Sequence, residues 1–466
     1  MDELEVKVKE SQKGIPLIGE SVLPVKYSKR SVTPNKLVAI WFAMAVEITI
    51  FYSSIELFES MPVWEIVLSS LFGHALLIII MLFTQDIGIR YGIPFTVSLR
   101  SSFGYGGAIL ASYFRAVPAI FWFGFQTWVC ASAMDSVIML LTGYENLVLW
   151  IIVFGVVQIA HTSLGIKAVS RLSDIATPML LVVGIYIVVL AFKNYDVNLS
   201  SIWTMKGSGE QNTSFMYAAI SFMGGWATMA ISIMDITKDC TTTAEESNSF
   251  GKVTKKFLPA EMLGFIPAVV LYTFIGCVGV ATTGQGEPAD ILITLSSAGG
   301  GSKVMLIICL LFIIISTWST NDTSNLFPAG YALSATFPRK INFAKGIILA
   351  GLIGLAVQPW NAANSIVEVM NVIGNLLAPV CGIMICDYMI LRRRHLNVDA
   401  LYDNTGEYRY WHNFNPAALI ALVVSYLCGL PTGDASFFVS IFLSIALYYM
   451  LMKFWICKKY PQAEIK

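Results

Sequence analysis

Apolar runs long enough to cross a bilayer recur from Leu37 nearly to the C-terminus of this 466-residue chain. About 20 apolar residues span the hydrocarbon core as a helix, and within lipid only a helix or a closed barrel satisfies its own backbone. With 56% hydrophobic and 13% charged residues, the chain is too apolar to cover soluble domains with polar surface. It is read as an all-α polytopic membrane protein. The first apolar run lies behind a charged tail, so no cleavable signal is expected.

Twelve transmembrane helices are expected, at about 35–56, 64–84, 107–139, 147–166, 174–193, 214–234, 257–281, 303–325, 343–358, 364–391, 415–431 and 435–456. The third and tenth exceed what a span needs, which implies tilt or a cytoplasmic extension. With the N-terminus inside, the cytoplasmic side collects Lys7 to Lys36, Arg90, Arg100, Lys167, Arg171, Lys238 to Lys256, Arg339 to Lys345, Arg392 to Arg394, Arg409 and the last lysines. The outside keeps Lys193, Lys206 and Lys303. That asymmetry follows the positive-inside rule. Both termini are expected in the cytoplasm of a multi-pass plasma (inner) membrane protein. The stretch QDIGIRYGIPFTVSLRSSFGYGG (85–107) is too polar for a span and reads as a re-entrant or surface-lying segment.

Formal net charge is zero, so nothing points to nucleic acid as a partner. The eight cysteines form no tight CxxC pair and read as buried thiols. Four scattered histidines lack metal spacing, no GxxxxGK[ST] stretch marks a pump, and no filter-like repeat marks a channel. An enzyme is not expected, and neither is a cofactor.

Polar side chains at membrane depth are costly and so carry information. Trp122 and Gln126, in WFGFQTW, share a helix face at i, i+4. Gly224-Gly225 is expected to interrupt the sixth span just before Trp226. The eighth ends in a polar run, 316–325, and the first carries Glu47 and Thr49. Singly, each has a plain explanation: tryptophans pack, glycines let helices approach, and hydroxyls bond neighbouring backbone. Together they fit a secondary transporter, whose discontinuous helices place free backbone groups at the midplane.

At these residues the sequence resembles the nucleobase:cation symport-1 family, permeases for cytosine, purines, uracil, allantoin and hydantoins. The matching strings are IRYGIPFTVSLRSSFGYGGA (89–108), RAVPAIFWFGFQTW (115–128), GGWATMAISIMDIT (224–237), STNDTSN (319–325), LAPVCGIMICDYMILRRR (377–394) and LYDNTGEYRYWHNFNPAA (401–418). The resemblance implies an inverted five-plus-five repeat of the LeuT type with alternating access. The tail would be 1–34, the first repeat 35–193, the second 214–391, a cytoplasmic loop 392–414, two extra helices 415–456 and a C-terminal tail 457–466.

The family's third-helix Trp and Gln fall on Trp122 and Gln126, its sixth-helix Trp on Trp226 beside Gly225, and its eighth-helix Asn on Asn325. Indoles would flank a small planar heterocyclic substrate while the two amides match its ring edge. The family's sodium position falls on Ser316, Ser319 and Thr320 of the eighth helix, with first-helix carbonyls of Ala43 and Val46. Oxygen donors suit a hard cation; sodium is the expected coupling ion and a proton the alternative. Members more often carry a neutral or small polar residue where Glu47 stands. A carboxylate there would accept from a ring N–H or amine, favouring cytosine or a purine over a hydantoin or allantoin; the rival role is proton coupling. Asp322 is a second candidate, or a cap at the cytoplasmic end of the eighth span. Arg100 and Arg115 read as structural or gating groups, with snorkelling to the interface the plainer alternative. Asp387 is free to pair with a basic residue of the inner loops, and Trp128, six residues from Trp122, packs elsewhere.

Overall fold

The computed structural model describes residues 22–209, 212–286, 288–297 and 303–465, so residues 1–21 of the expected tail fall outside it. Described residues are almost wholly helical, with two isolated bridges, Val32 to Cys240 and Trp411 to Phe414. Among the described residues, eight helices are long and apolar enough to cross a membrane, nine if one bent pair counts as a single span. The bent pair is α1 (Pro34–Ala45) and α2 (Ile48–Phe58). Then come α3 (Val63–Tyr91), α4 (Phe95–Thr142), α5 (Leu147–Ser163) and α6 (Ile166–Asn194). The second half holds α7 (Phe215–Ser232), α8 (Phe250–Thr283), α9 (Leu306–Thr336), α10 (Phe343–Val357) and α11 (Ile366–Leu391). Last are α12 (Pro416–Gly429) and α13 (Ser436–Leu451), which pack against each other across a turn at Gly433, φ +56°. α5 and α10 are shorter apolar helices.

Local chemistry sets the ends. Thr33, Asn146, Ser214 and Asn342 cap α1, α5, α7 and α10 through their side chains. α3 stops at left-handed Gly92, and Pro94 starts α4. The expected re-entrant segment is thus mostly helix. Its irregularity is confined to 92–94 and to Gly104 (φ 77°), where a side chain would collide with the Asn413 carbonyl.

α7 is the central element: 94% of its best membrane window is buried in protein, against 33% for lipid-facing α6. Contrary to expectation, α7 runs unbroken through Gly224 and Gly225 and yields only at Ile233. The glycines serve close packing. A Cβ on Gly224 would lie 2.2 Å from the Met370 carbonyl of α11, and one on Gly225 would meet the Met370 methyl. The break falls in the first span instead, where α1 and α2 meet at 48°.

Candidate functional site: a buried aromatic and amide cavity

Two irregularities bring polar groups together. At the α1–α2 break the Glu47 N–H bonds the Ala45 carbonyl at 3.0 Å, so the helical ladder does not continue onto Ala43. In α9 the bonding widens to a π-turn over Asn321–Leu326. Such a turn inserts one residue and rotates the remainder of the helix, a device frequent at functional sites. The second half of the polar eighth-span string is therefore a wound-out turn facing protein, with Asn321 to Leu326 all buried.

Glu47, Trp122, Gln126, Gly225, Trp226 and Asn325 all line one narrow buried cavity, joined by Thr228, Met229, Thr320 and Ser324. Its polar wall is a chain of hydrogen bonds that runs outward both ways from Asn325. Gln126 Nε2 donates to Glu47 Oε2 at 2.7 Å. Asn325 Nδ2 donates to Gln126 Oε1 at 3.3 Å and to Asn321 Oδ1 at 2.7 Å. Asn321 Nδ2 donates on to the Phe123 carbonyl and Gln158 Oε1, both at 3.2 Å. The Thr49 hydroxyl closes the other end on Glu47 Oε1. With the Gln126 N–H on Glu47 and its carbonyl taken by Asn325, both ends of the Gln126 amide are engaged.

The apolar wall is indole. Trp122 stands edge-on to Phe125 at 5.9 Å, and Trp226 edge-on to Phe265 at 5.0 Å with Trp41 behind it at 6.5 Å. Neither indole N–H has a hydrogen-bond partner, although a buried one ordinarily finds one. Trp128 stays out of the cavity and leans on Phe125 at 5.7 Å.

Of the five ion-site candidates, Ala43 and Val46 stand at the end of α1, and Ser316, Ser319 and Thr320 on α9. The Thr320 hydroxyl crosses to α1, but the carbonyl it meets, at 2.7 Å, is that of Met44, between Ala43 and Val46. Ser319 Oγ lies 3.4 Å from Ser173 Oγ of α6, and Ser316 Oγ bonds the Ile313 carbonyl at 2.9 Å. No group of three His, Cys, Asp or Glu residues fit to hold a metal occurs among the described residues. The available donors are hydroxyls and carbonyls, which suit a hard cation.

Three expectations change. Asp322 is not a solvated cap: it is wholly buried, bonded to His161 Nδ1 and to the Thr162 hydroxyl, each at 2.6 Å. Arg100 and Arg115 do not snorkel; both are buried. Arg100 bonds the Leu401 carbonyl below Tyr402, and Arg115 holds Ser232 Oγ at 2.8 Å and the Ser324 carbonyl under the cavity. Asp387 does pair with a basic residue, Arg392, at 2.9 Å. Sequence reasoning missed His161, Thr228, Met229 and Ser324. Ser324 sat inside a string already singled out; His161 offered no local signal, because its partner is 161 positions away.

A family model described as permease for cytosine/purines, uracil, thiamine, allantoin matches residues 24–456. A hydantoin permease of Microbacterium maritypicum is 35% identical over 96% of this chain and 90% of its own length. An allantoin permease of Bacillus subtilis is 26% identical over 96% of each chain. Among solved structures, Mhp1, a nucleobase-cation-symport-1 family transporter in a closed conformation with bromovinylhydantoin bound, superposes with TM-score 0.91 at 35% identity, covering 96% of this chain and 97% of its own. Inward-facing Mhp1 gives 0.87. A Na+-coupled sialic acid symporter, 15% identical, gives 0.65 and shares the fold alone, so the LeuT-type architecture extends beyond close relatives. The chain is a membrane transporter, not an enzyme, and belongs to the nucleobase:cation symport-1 family of permeases.

Proposed function

We propose that this protein imports a small planar heterocycle by alternating access in symport with a cation. The observation that carries this is the convergence of Trp122, Trp226, Gln126 and Asn325 on one buried cavity with both indole N–H groups unpaired. Flat apolar faces favour a ring, and amides fixed in orientation favour a cyclic amide or ureide edge. A hydantoin-type ring is the first reading, supported by the full-length relative named hydantoin permease. Cytosine or a purine is the second, supported by Glu47, whose carboxylate in the cavity wall suits a ring amine. Ala43, Val46, Ser316, Ser319 and Thr320 are the proposed sodium ligands, carbonyl and hydroxyl oxygens on facing helices. The lysine and arginine asymmetry supports a plasma-membrane protein with both termini inside.

Thermal unfolding of the purified protein with hydantoin, benzyl-hydantoin, allantoin, uracil, cytosine, adenine, guanine and hypoxanthine, each with and without sodium, tests both readings. Stabilisation by one of these rings, enhanced by sodium, is expected. A shift for none of them, while another chemical class stabilises, overturns the substrate reading; indifference to sodium overturns the ion assignment.

A further inference from the structure

Glu261 opens a π-turn, Glu261–Phe265, inside α8, and none of its side chain is exposed. Neither of its carboxylate oxygens has a hydrogen-bond partner. Beside it lies the Gln85 amide of α3, equally buried and near enough to turn its N–H toward the carboxylate. A buried carboxylate whose polar neighbour is a neutral amide is exceptional, since buried charges are ordinarily paired. An ionised carboxylate without a partner is costlier still, and the cheapest remedy is a proton.

The neighbours supply no other remedy. From α8 itself, Lys256 is bound to Glu246 at 2.8 Å. From the segment after α7, Lys238 is bound to Asp239 at 3.3 Å, and Cys240 is a buried thiol beside the site. Arg30, ahead of α1, donates to the Val25 and Ile89 carbonyls. From α3, Asp86 is held by Arg394 at 2.8 Å, and His74 has Nδ1 on the Ser70 carbonyl at 2.7 Å. Glu261 makes no ion pair among the described residues.

The site is joined to the moving parts of a carrier. One turn on from Glu261, Gly264 lies so close to α1 that a Cβ there would sit 2.5 Å from the Val38 carbonyl. Phe265 wedges between Trp41 of α1 and Trp226 of the cavity, at 5.0 Å from each. A rearrangement that lifts α1 from α8 parts Gly264 and Phe265, on the turn that Glu261 opens, from Val38 and Trp41 and disturbs the ring behind the substrate wall.

We propose that Glu261 is a proton-binding site of the transport cycle. It takes a proton from water while α1 is lifted, holds it as a neutral acid while α1, α3 and α8 are packed, and returns it to water on the opposite side. Substrate entry is then accompanied by a proton, independently of which ring is carried.

The test uses full-length protein in sealed phospholipid vesicles with a pH dye inside, no initial pH gradient and the membrane potential clamped. Hydantoin, allantoin, cytosine and adenine are supplied outside in turn. Uptake with internal acidification by the wild type, and exchange without acidification by Glu261→Gln, are expected. Wild-type uptake with no acidification, or undiminished acidification in the variant, overturns the proposal. Should none of the four enter, the substrate reading fails and infrared titration without substrate decides. A protonated-carboxyl band that Glu261→Gln lacks and Glu47→Gln keeps supports the site; the same band in all three proteins overturns it. Glu261→Met, of similar length, replaces the amide variant if that one does not fold, with the same expectations.

Discussion

Glu47 is engaged on both oxygens, by Thr49 and by Gln126. Removing the carboxylate therefore does more than delete a charge, because it leaves a buried hydroxyl and a buried amide N–H without acceptors. Each unpaired group costs about 1–3 kcal/mol. Glu47→Ala is expected to weaken substrate binding by roughly 5- to 150-fold, the scale of one such group, whereas Glu47→Gln keeps an acceptor for Gln126 and loses much less. Titration calorimetry with the ring that stabilises the protein checks this; equal losses in the two variants would count against the hydrogen-bonded role. Trp226→Ala removes an indole that also supports Trp41 and Phe265. Truncating a buried aromatic costs about 3–5 kcal/mol, so this variant is expected to lose both thermal stability and binding, where Asn325→Ala loses chiefly binding.

At the scale of the helix, backbone contact is the feature most exposed to mutation. Gly224→Ala forces a methyl against the Met370 carbonyl of α11, where 2.2 Å is available. Overpacking of this kind costs about 1–3 kcal/mol, and a clearly lowered melting temperature in detergent is expected. Gly251→Ala, at the exposed start of α8 with its nearest neighbour at 3.9 Å, is expected to leave the melting temperature equal or slightly raised, since Ala suits a helix better. If Gly224→Ala melts like the wild type, close packing is not what the glycine provides. The same pair of glycines shows what the chain's letters can and cannot tell. The helical membrane class was readable, because bilayer thickness and the cost of buried polarity act on every residue in turn, and the six cavity residues were reached with the family resemblance beside that cost. The place of the helix break was not. Gly-Gly licenses both a break and a tight contact, and only the position of Met370, far away in sequence, decides between them. The π-turns at 261 and 321 were illegible for the same reason: one additional residue per turn leaves no compositional mark.

Across the whole molecule, the DYMILRRR string ties distant parts into one polar lock. Asp387 accepts from Arg392 at 2.9 Å, Ser101 of α4 at 2.8 Å and Tyr448 of α13 at 2.9 Å. Arg392 reaches on to Glu464 at 2.9 Å, while Tyr388 and Arg394 both hold Asp86 of α3. A buried pair that loses one member leaves an uncompensated charge, at about 3–5 kcal/mol. Asp387→Asn is expected to lower the melting temperature sharply, and Asp387→Asn combined with Arg392→Leu to lower it by less than the two changes summed. Strict additivity in that double-variant cycle would show that the pair is not coupled.

The fixed Gln126 amide has one more consequence. It cannot turn over without breaking its bonds to Glu47 and Asn325 together, so its carbonyl and its remaining N–H stand in one order along the cavity wall. A heterocycle that moves a hydrogen from one ring nitrogen to another, or from nitrogen to oxygen, reverses its own order of donors and acceptors without changing shape. To this wall such tautomers are different molecules. The carrier then draws from solution only the form that matches, and the cost of shifting the tautomeric equilibrium becomes part of the affinity it displays.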